Sequence, residues 1–393
     1  MSTHDRVPQL VALIDRVGRA GRPGRELAVR LDVARSIGPQ RAWRRFRQTA
    51  KRTREAGAAL SLEPAYQTIW QDAAREVGAE LVELTGGFIE MRSGGAWTRV
   101  WRHWVMLDDA VTLRYALQKG LVQERLSASG LPVPEHLEFE GSDIAAAEEF
   151  LACGPTPCVV KPAGESGGSG VSCGVRTRAN LMRARLRAWR LDDRILIERQ
   201  VAGDNYRFLF LDGVLLDVIR RRPPRVTGNG RSTIEELIEA ENERREQRQQ
   251  EVLFWRLDID LDCIFTLEAA GLTAASVPPA GKTIAVKTVV NQNTIDDNET
   301  VREPIADALV DEARAAAELI GVRLAGIDLV TEDLSRSLAH SGGAILEVNG
   351  TPGLHYHYEV TDVANATRVA VPVLQALLDP ARASVARAAA PRT

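Results

Sequence analysis

The sequence predicts an α+β protein, with helices interleaved among antiparallel strands. Three observations carry that prediction. Residues 88–102 alternate around Ser93, Gly94 and Gly95, and residues 206–219 alternate around Asp212 and Gly213, so both read as β-hairpins. A glycine-rich loop, 161–171, lies between two short apolar strands. Two late strands, 324–330 and 344–349, are apolar except for isolated carboxylates. The 393 residues suffice for two or three domains with cores of their own.

Residues 1–107 read as a mostly helical N-terminal domain ending in the first hairpin. Helices are expected at 8–17, 25–37 and 63–77, with a break at Gly21–Gly24. The basic segment 41–54 reads as a solvated helix face, or as a surface that steers an anionic substrate or nucleic acid. Trp97 and Trp101 are expected to fill a core or a domain interface. A first subdomain, 108–200, opens on one long helix at 107–129, which Gly130 and the constrained segment 131–134 end. Further helices are expected at 143–151, 180–189, 232–250 and 305–320, and strands at 194–198 and 283–290. A second subdomain runs over 201–379, and the Ala/Arg-rich tail 380–393 reads as disordered.

Composition excludes several classes. The chain is 45% hydrophobic and 26% charged, with a net charge of −3, so nothing global points to nucleic acid or a membrane surface. No apolar run approaches the roughly 18 residues a membrane helix needs. Asp5, Arg6 and Asp15 interrupt any leader-like core, and Cys153, Cys158, Cys173 and Cys263 have neither metal-ligand nor disulfide spacing. The expectation is a cytoplasmic protein with reduced thiols. Of the 50 basic residues only Lys51, Lys119, Lys161, Lys282 and Lys287 are lysines. Against such an arginine bias, a lysine marks a place where a compact, rotatable charge is useful.

Lys161 closes a strand and is followed by Gly164, Gly167, Gly168 and Gly170. Glycines let backbone N–H groups approach an anion, and the lysine puts an ammonium at the base. The loop is read either as a phosphate cradle or as an ordinary hairpin loop. It is neither a Walker loop nor a dinucleotide fingerprint, because no helix opens on it.

Asp328 and Glu347 each sit inside an apolar strand, and a buried carboxylate requires a cation or hydrogen bonds. Asn349 shares a strand face with Glu347 by the period of two. Asp328, Glu347 and Asn349 together offer hard oxygen ligands suited to Mg2+.

Read in order, these segments resemble the ATP-grasp carboxylate–amine ligases, and more narrowly the ATP-grasp module of cyanophycin synthetases. The resemblance is carried by Leu117–Lys119 with Leu131–Pro134, by Lys161 and Pro162 with Gly164–Val171, and by Ile197 and Glu198 with Gly203–Arg207. It continues through Arg221–Ile234, Ser276–Gly281, Ala325–Asp328 and Gly342–Leu354, so it spans roughly residues 88–360. It implies two α+β subdomains that grip ATP between antiparallel sheets. It implies Lys119, Lys161 and the loop glycines at the nucleotide phosphates, Glu198 and the backbone to Val201 at adenine, and Asn205 near the ribose. Arg207 and Arg221 would face the transferring phosphate and the intermediate, with Lys287 and Asn291 at the phosphates and metal. Asp328, Glu347 and Asn349 would hold magnesium, two Mg2+ ions in all, with Mn2+ able to substitute.

The sequence departs from the pattern at Asn205 and Asn229, where aspartates are usual, and at 293–298, near the acceptor in relatives. Cyanophycin synthetases continue into a Mur-ligase-like half, whereas this sequence stops at Thr393, so their two-site polymerisation is not expected. The leading expectation is ATP-dependent amide-bond formation between amino acids or short peptides through an acyl phosphate, by a homo-oligomer (dimer or tetramer) with neither nucleic-acid nor membrane partner. Residues 226–260 are the expected lid, and His355 or His357 contacts a substrate or serves the structure. A phosphotransferase acting on a hydroxyl, and a non-catalytic binding protein, are the alternatives.

Overall fold

A computed structural model describes residues 21–38, 63–154, 157–165, 167–247 and 256–379. The helix expected at 8–17, the basic segment 41–54 and the tail from 380 lie outside the described residues. The strands, in chain order, are β1 (Glu80–Glu83), β2 (Phe88–Ser93), β3 (Ala96–Trp101), β4 (His136–Glu140), β5 (Cys158–Pro162), β6 (Ser172–Val175) and β7 (Arg194–Arg199). They continue as β8 (Asp204–Leu211), β9 (Val214–Arg221), β10 (Arg225–Thr227), β11 (Thr283–Ala285), β12 (Asn298–Thr300), β13 (Leu324–Thr331) and β14 (Ala344–Asn349). They form antiparallel sheets in the orders β1-β2-β3, β4-β7-β5-β6, β12-β9-β8-β13-β14 and β10-β11. The mixed α+β architecture and both hairpins are as the alternation predicts.

The four-stranded sheet is backed by the helix Arg178–Trp189, which buries Leu181 and Leu186 against Val160, Ile195 and Ile197. Thr177 caps that helix by accepting the Asn180 N–H. The helix Leu261–Ala269 packs on β6, and Ile234, Ile238, Leu257 and Ile284 join the same core, so much of segment 226–286 packs with this sheet. The helix Arg22–Ile37 lies on the helix Arg178–Trp189, with Pro23 in its first turn. Proline is tolerated there because the first-turn N–H groups have no intrahelical acceptor, so this helix already begins within the segment Gly21–Gly24.

The five-stranded sheet has two unlike faces. Phe208, Phe210, Val218, Ile327 and Leu329 pack against Leu309, Ala313 and Ala316 of the helix Asp307–Ile320. Each such residue contributes about 1.5–3 kcal/mol on burial. The alternate positions of the same strands carry Asn205, Arg207, Asp217, Arg221, Asp328, Glu347 and Asn349. A third core joins the helix Glu63–Val77 to the helix Ala370–Leu377 and to the first hairpin, around Tyr66, Trp70, Met91 and Leu374.

Four local expectations are corrected. The helix expected over 107–129 is two, Ala110–Ala116 and Lys119–Ala128. Asp109 caps the first, and Gln118 leaves the helical region at φ −87°, ψ 84°, so the Lys119 N–H meets the Ala163 carbonyl at 3.3 Å. Trp97 is 51% exposed, with the Arg99 guanidinium over its ring; Trp70 is the indole that fills the core. The strand expected at 283–290 ends at Ala285, because its β-ladder partner β10 has only three residues. β1 was not expected at all; it pairs with β2 from Glu80 to Glu83.

Candidate active site

The site is built on cross-strand neighbours. Asp328 stands directly opposite Arg207 on β8 and Glu347 on β14, while Asn349 stands opposite Gly326. Partners across a ladder share a sheet face, so these side chains project together. Arg207 grips Asp328 with both nitrogens of its fork, Nε to Oδ1 at 2.7 Å and Nη2 to Oδ2 at 2.5 Å. Asn349 Nδ2 donates to Asp328 Oδ2 at 3.2 Å and to the Gly326 carbonyl at 3.1 Å. Gly326 is needed there: a Cβ would meet Pro352 at 2.8 Å beneath Arg207 and Asn349.

Burial alone would raise the Asp328 carboxyl, but the Arg207 charge and hydrogen bonds, Arg221 and Asn349 hold it below the ordinary carboxylate range. Burial also works against the Arg207 charge, and Asp328 more than restores it. Arg221 stands across from Asn205 and lies 4.5 Å above the Tyr356 ring, which Arg207 approaches at 5.6 Å. Burial and the neighbouring Arg207 both act against the Arg221 cation, and its Nε is buried without a hydrogen-bond partner among the described residues.

Two lysines lie outside this sheet's strands, Lys119 on a helix and Lys161 on the four-stranded sheet. Lys119 begins the helix Lys119–Ala128 and reaches Glu347 Oε1 at 3.1 Å; it also donates to the Glu165 carbonyl. Lys161, on β5, donates to Glu198 Oε1 at 2.8 Å on the neighbouring β7. Glu198 Oε2 accepts from Gln123 Nε2 at 2.9 Å, and the same amide nitrogen reaches the Leu346 carbonyl on β14 at 3.3 Å. Lys119 and Gln123 lie one turn apart on one helix, so a single helix face touches both sheets.

The loop after Lys161 turns through left-handed glycines, Gly167, Gly168 and Gly170, at φ +66°, +70° and +76°. At Gly170 a Cβ would also fall 2.8 Å from Pro162 and Leu191, so only glycine fits. The Gly164 N–H is spent on Asp192 Oδ2 at 2.7 Å. Val201 lies in the turn between β7 and β8, and Asn205 near the start of β8. Lys287 forms a second buried cluster: its ammonium donates to Asp260 Oδ2 at 2.7 Å and Gln292 Oε1 at 3.0 Å, and Asp260 also accepts from Arg187 at 2.5 Å. Asn291 falls in the turn Val290–Gln292, and its side chain lies outside the described set.

The structure therefore brings Lys119, Arg207, Arg221, Asp328, Glu347 and Asn349 together, with Lys161 and Glu198 joined to them through Gln123. Lys287 sits in its own network with Asp260. Gln123, Asp260, Tyr356 and Asp217 were missed from sequence, whereas His357, singled out there with His355, is paired with Asp217. Asp217 carried the signal that exposed Asp328, a lone carboxylate inside an apolar strand.

Among the described residues no group of three or more His, Cys, Asp or Glu side chains is placed to hold a metal. The candidate set is two carboxylates and the Asn349 amide. All are oxygen donors, a chemistry that fits Mg2+ completing its shell with phosphate and water.

The chain has an ATP-grasp-like fold and in sequence resembles ATP-grasp carboxylate–amine ligases. It is 31% identical to the cyanophycin synthetase of Trichormus variabilis over 301 residues, 76% of this chain and 33% of that protein. It is 31% identical to the glutathione biosynthesis bifunctional protein of Enterococcus faecalis over 247 residues, 61% of this chain and 32% of that protein. The chain thus spans about a third of the length of these curated relatives. A bifunctional glutathione synthetase from Pasteurella multocida shares the fold, with a TM-score of 0.50 at 20% identity over 79% of this chain and 43% of that one. No family model matches the chain.

Proposed function

We propose that the chain is an ATP-dependent ligase that joins an amino-acid or peptide carboxylate to an amine through an acyl phosphate, releasing ADP and phosphate. The observation that carries this reading is the single sheet face on which Asp328, Glu347 and Asn349 stand beside Arg207 and Arg221, with Lys119 reaching across to Glu347. Two oxygen-rich strands next to fixed cations suit a reaction whose catalysis is the positioning and neutralising of phosphoryl charge.

Lys119 and Lys161 would exchange their carboxylate partners for nucleotide phosphates. Asp328, Glu347 and Asn349 would hold magnesium, which when bound offsets charge on the transferring phosphoryl group. Arg207, held flat by Asp328, and Arg221, held over Tyr356, would receive the developing oxyanion. Burial of both guanidiniums strengthens that interaction, because water does not compete for their donors. Glu198 and Val201 would bound the adenine side, and Asn205 the ribose.

The test is ADP and phosphate release with Mg-ATP across a matrix of paired amino acids, with products read by mass spectrometry. A product weighing the sum of the pair less water supports the ligase. A phosphorylated alcohol without amide replaces it with a phosphotransferase. Glu347→Gln is expected to abolish turnover, and full activity in that variant would remove the metal assignment.

A further inference from the structure

β9 is apolar from Val214 to Ile219 except at Asp217. By the period of two, Asp217 shares its face with Ile219 and Arg221, the face that carries Arg207. Asp217 Oδ1 accepts the Thr367 hydroxyl at 2.8 Å, and Oδ2 lies 2.7 Å from His357 Nδ1. A carboxylate only accepts, so Nδ1 carries the hydrogen and the neutral ring presents a bare lone pair at Nε2. His357 is fully buried, and Nε2 has no hydrogen-bond partner among the described residues.

His357 follows Tyr356 in the turn Leu354–His357, and Tyr356 is the ring beneath Arg207 and Arg221. The charged and titratable groups around the imidazole are Asp217, Arg207 and Arg221 on the sheet and His355 on its own turn. Burial, then the two guanidiniums, keeps the ring below its ordinary value against the pull of Asp217. The ring is therefore neutral near pH 7, beside the two arginines assigned to the acyl intermediate.

We propose that His357 Nε2 is the proton acceptor for the attacking amine, and that Asp217 is the residue that positions it. The proposal rests on the ligase reading above and names the acceptor's chemical class, a primary ammonium. R–NH3+ gives one proton to Nε2, and Asp217 offsets the imidazolium charge. The freed lone pair attacks the acyl carbon, the C–N bond forms, and the C–O bond to phosphate breaks. The second nitrogen proton leaves with the phosphate, and His357 returns its proton to solvent after product release. General-base assistance of this kind contributes about 100- to 10,000-fold.

Hydroxylamine separates this step from acyl-phosphate formation, because near neutral pH it attacks without first losing a proton. The full chain, His357→Gln and Asp217→Asn are each given Mg-ATP and the proteinogenic amino acids as donors. They are run once with hydroxylamine and once with the same amino acids as acceptors. His357→Gln is expected to lose amide formation about 100-fold or more beyond any loss of hydroxamate formation, and Asp217→Asn to show a smaller selective loss. In the unaltered chain the amide-to-hydroxamate ratio should hold through neutral pH and fall only in acid, below the ordinary imidazole range, while in His357→Gln it should follow the acceptor's own ionisation. Equal losses with both nucleophiles overturn the proposal and leave the ligase reading intact. No hydroxamate from the unaltered chain with any donor overturns the ligase reading itself, and this proposal with it. Histidine 15N NMR, assigned through His357→Gln, supplies a substrate-free check: a hydrogen on Nε2 rather than Nδ1 overturns the proposal on its own.

Discussion

Arg207 lies on Asp328, its direct partner across the β8–β13 ladder, with two parallel bonds of 2.7 and 2.5 Å. A planar fork on a carboxylate holds the guanidinium in one orientation, which a lysine cannot reproduce. Arg207→Lys is expected to lower ADP release by at least about 100-fold with little change in melting temperature. Arg207→Met strands the carboxylate and should cost about 3 kcal/mol, the low end for a broken buried pair, since 21% of the Asp328 side chain is exposed. Thermal denaturation beside ADP-release kinetics separates the two effects.

Lys161 and Glu198 form a buried pair at 2.8 Å. If Lys161 meets nucleotide phosphate, Lys161→Met should weaken binding of a non-hydrolysable ATP analogue by roughly 10- to 100-fold, the value of one charged hydrogen bond. Calorimetric titration reads this, and an unchanged affinity would take Lys161 out of the nucleotide site.

Asp260 joins Lys287 and Arg187 and is expected to set part of the acid stability. Burial opposes its ionisation, but the two cations hold its carboxyl well below the ordinary range. The folded value lies below the unfolded one. This contribution is therefore fully present above about pH 3.9 and is lost as the pH falls from there toward the folded value. Asp260→Asn leaves two buried cations facing each other and should lower stability by about 3–5 kcal/mol at pH 7. Urea denaturation at pH 7 and pH 3 should show the gap between variant and parent shrinking in acid.

Gly203 joins β7 to β8 at φ +126°, and a Cβ there would lie 2.4 Å from the Thr331 carbonyl carbon. Both the backbone conformation and the contact exclude a side chain, and backbone cannot swing aside as a flexible side chain can. Gly203→Ala should destabilise by about 2 kcal/mol or more, read as a drop in melting temperature.

Polar groups inside apolar alternation made one part of the candidate site readable: Asp328, Glu347 and Asn349 are conspicuous in strands that are otherwise hydrophobic. The loop glycines were readable because left-handed turns select glycine. What stayed hidden depends on contacts between distant segments. Nothing local marks the break before Lys119, since its amide leaves the helix for the Ala163 carbonyl 44 residues later. Lys287 reads as a phosphate ligand by its place in the motif order, while its nearest carboxylate, Asp260, stands 27 residues earlier. Trp97 misleads for another reason: alternation assigns it to a strand face but does not say which face the rest of the chain covers.

The Gln123 amide bonds the Glu198 carboxylate of one sheet and the Leu346 carbonyl of the other, at 2.9 and 3.3 Å. One nitrogen thereby spans the two sheets. The helix Lys119–Ala128 buries Val122 and Leu126 in the core of the five-stranded sheet, so separating the sheets would stretch the Glu198 bond and leave the Leu346 bond with the helix. Such a separation would cost the Gln123–Glu198 bond alone and leave Lys161 and Glu198 paired on their own sheet.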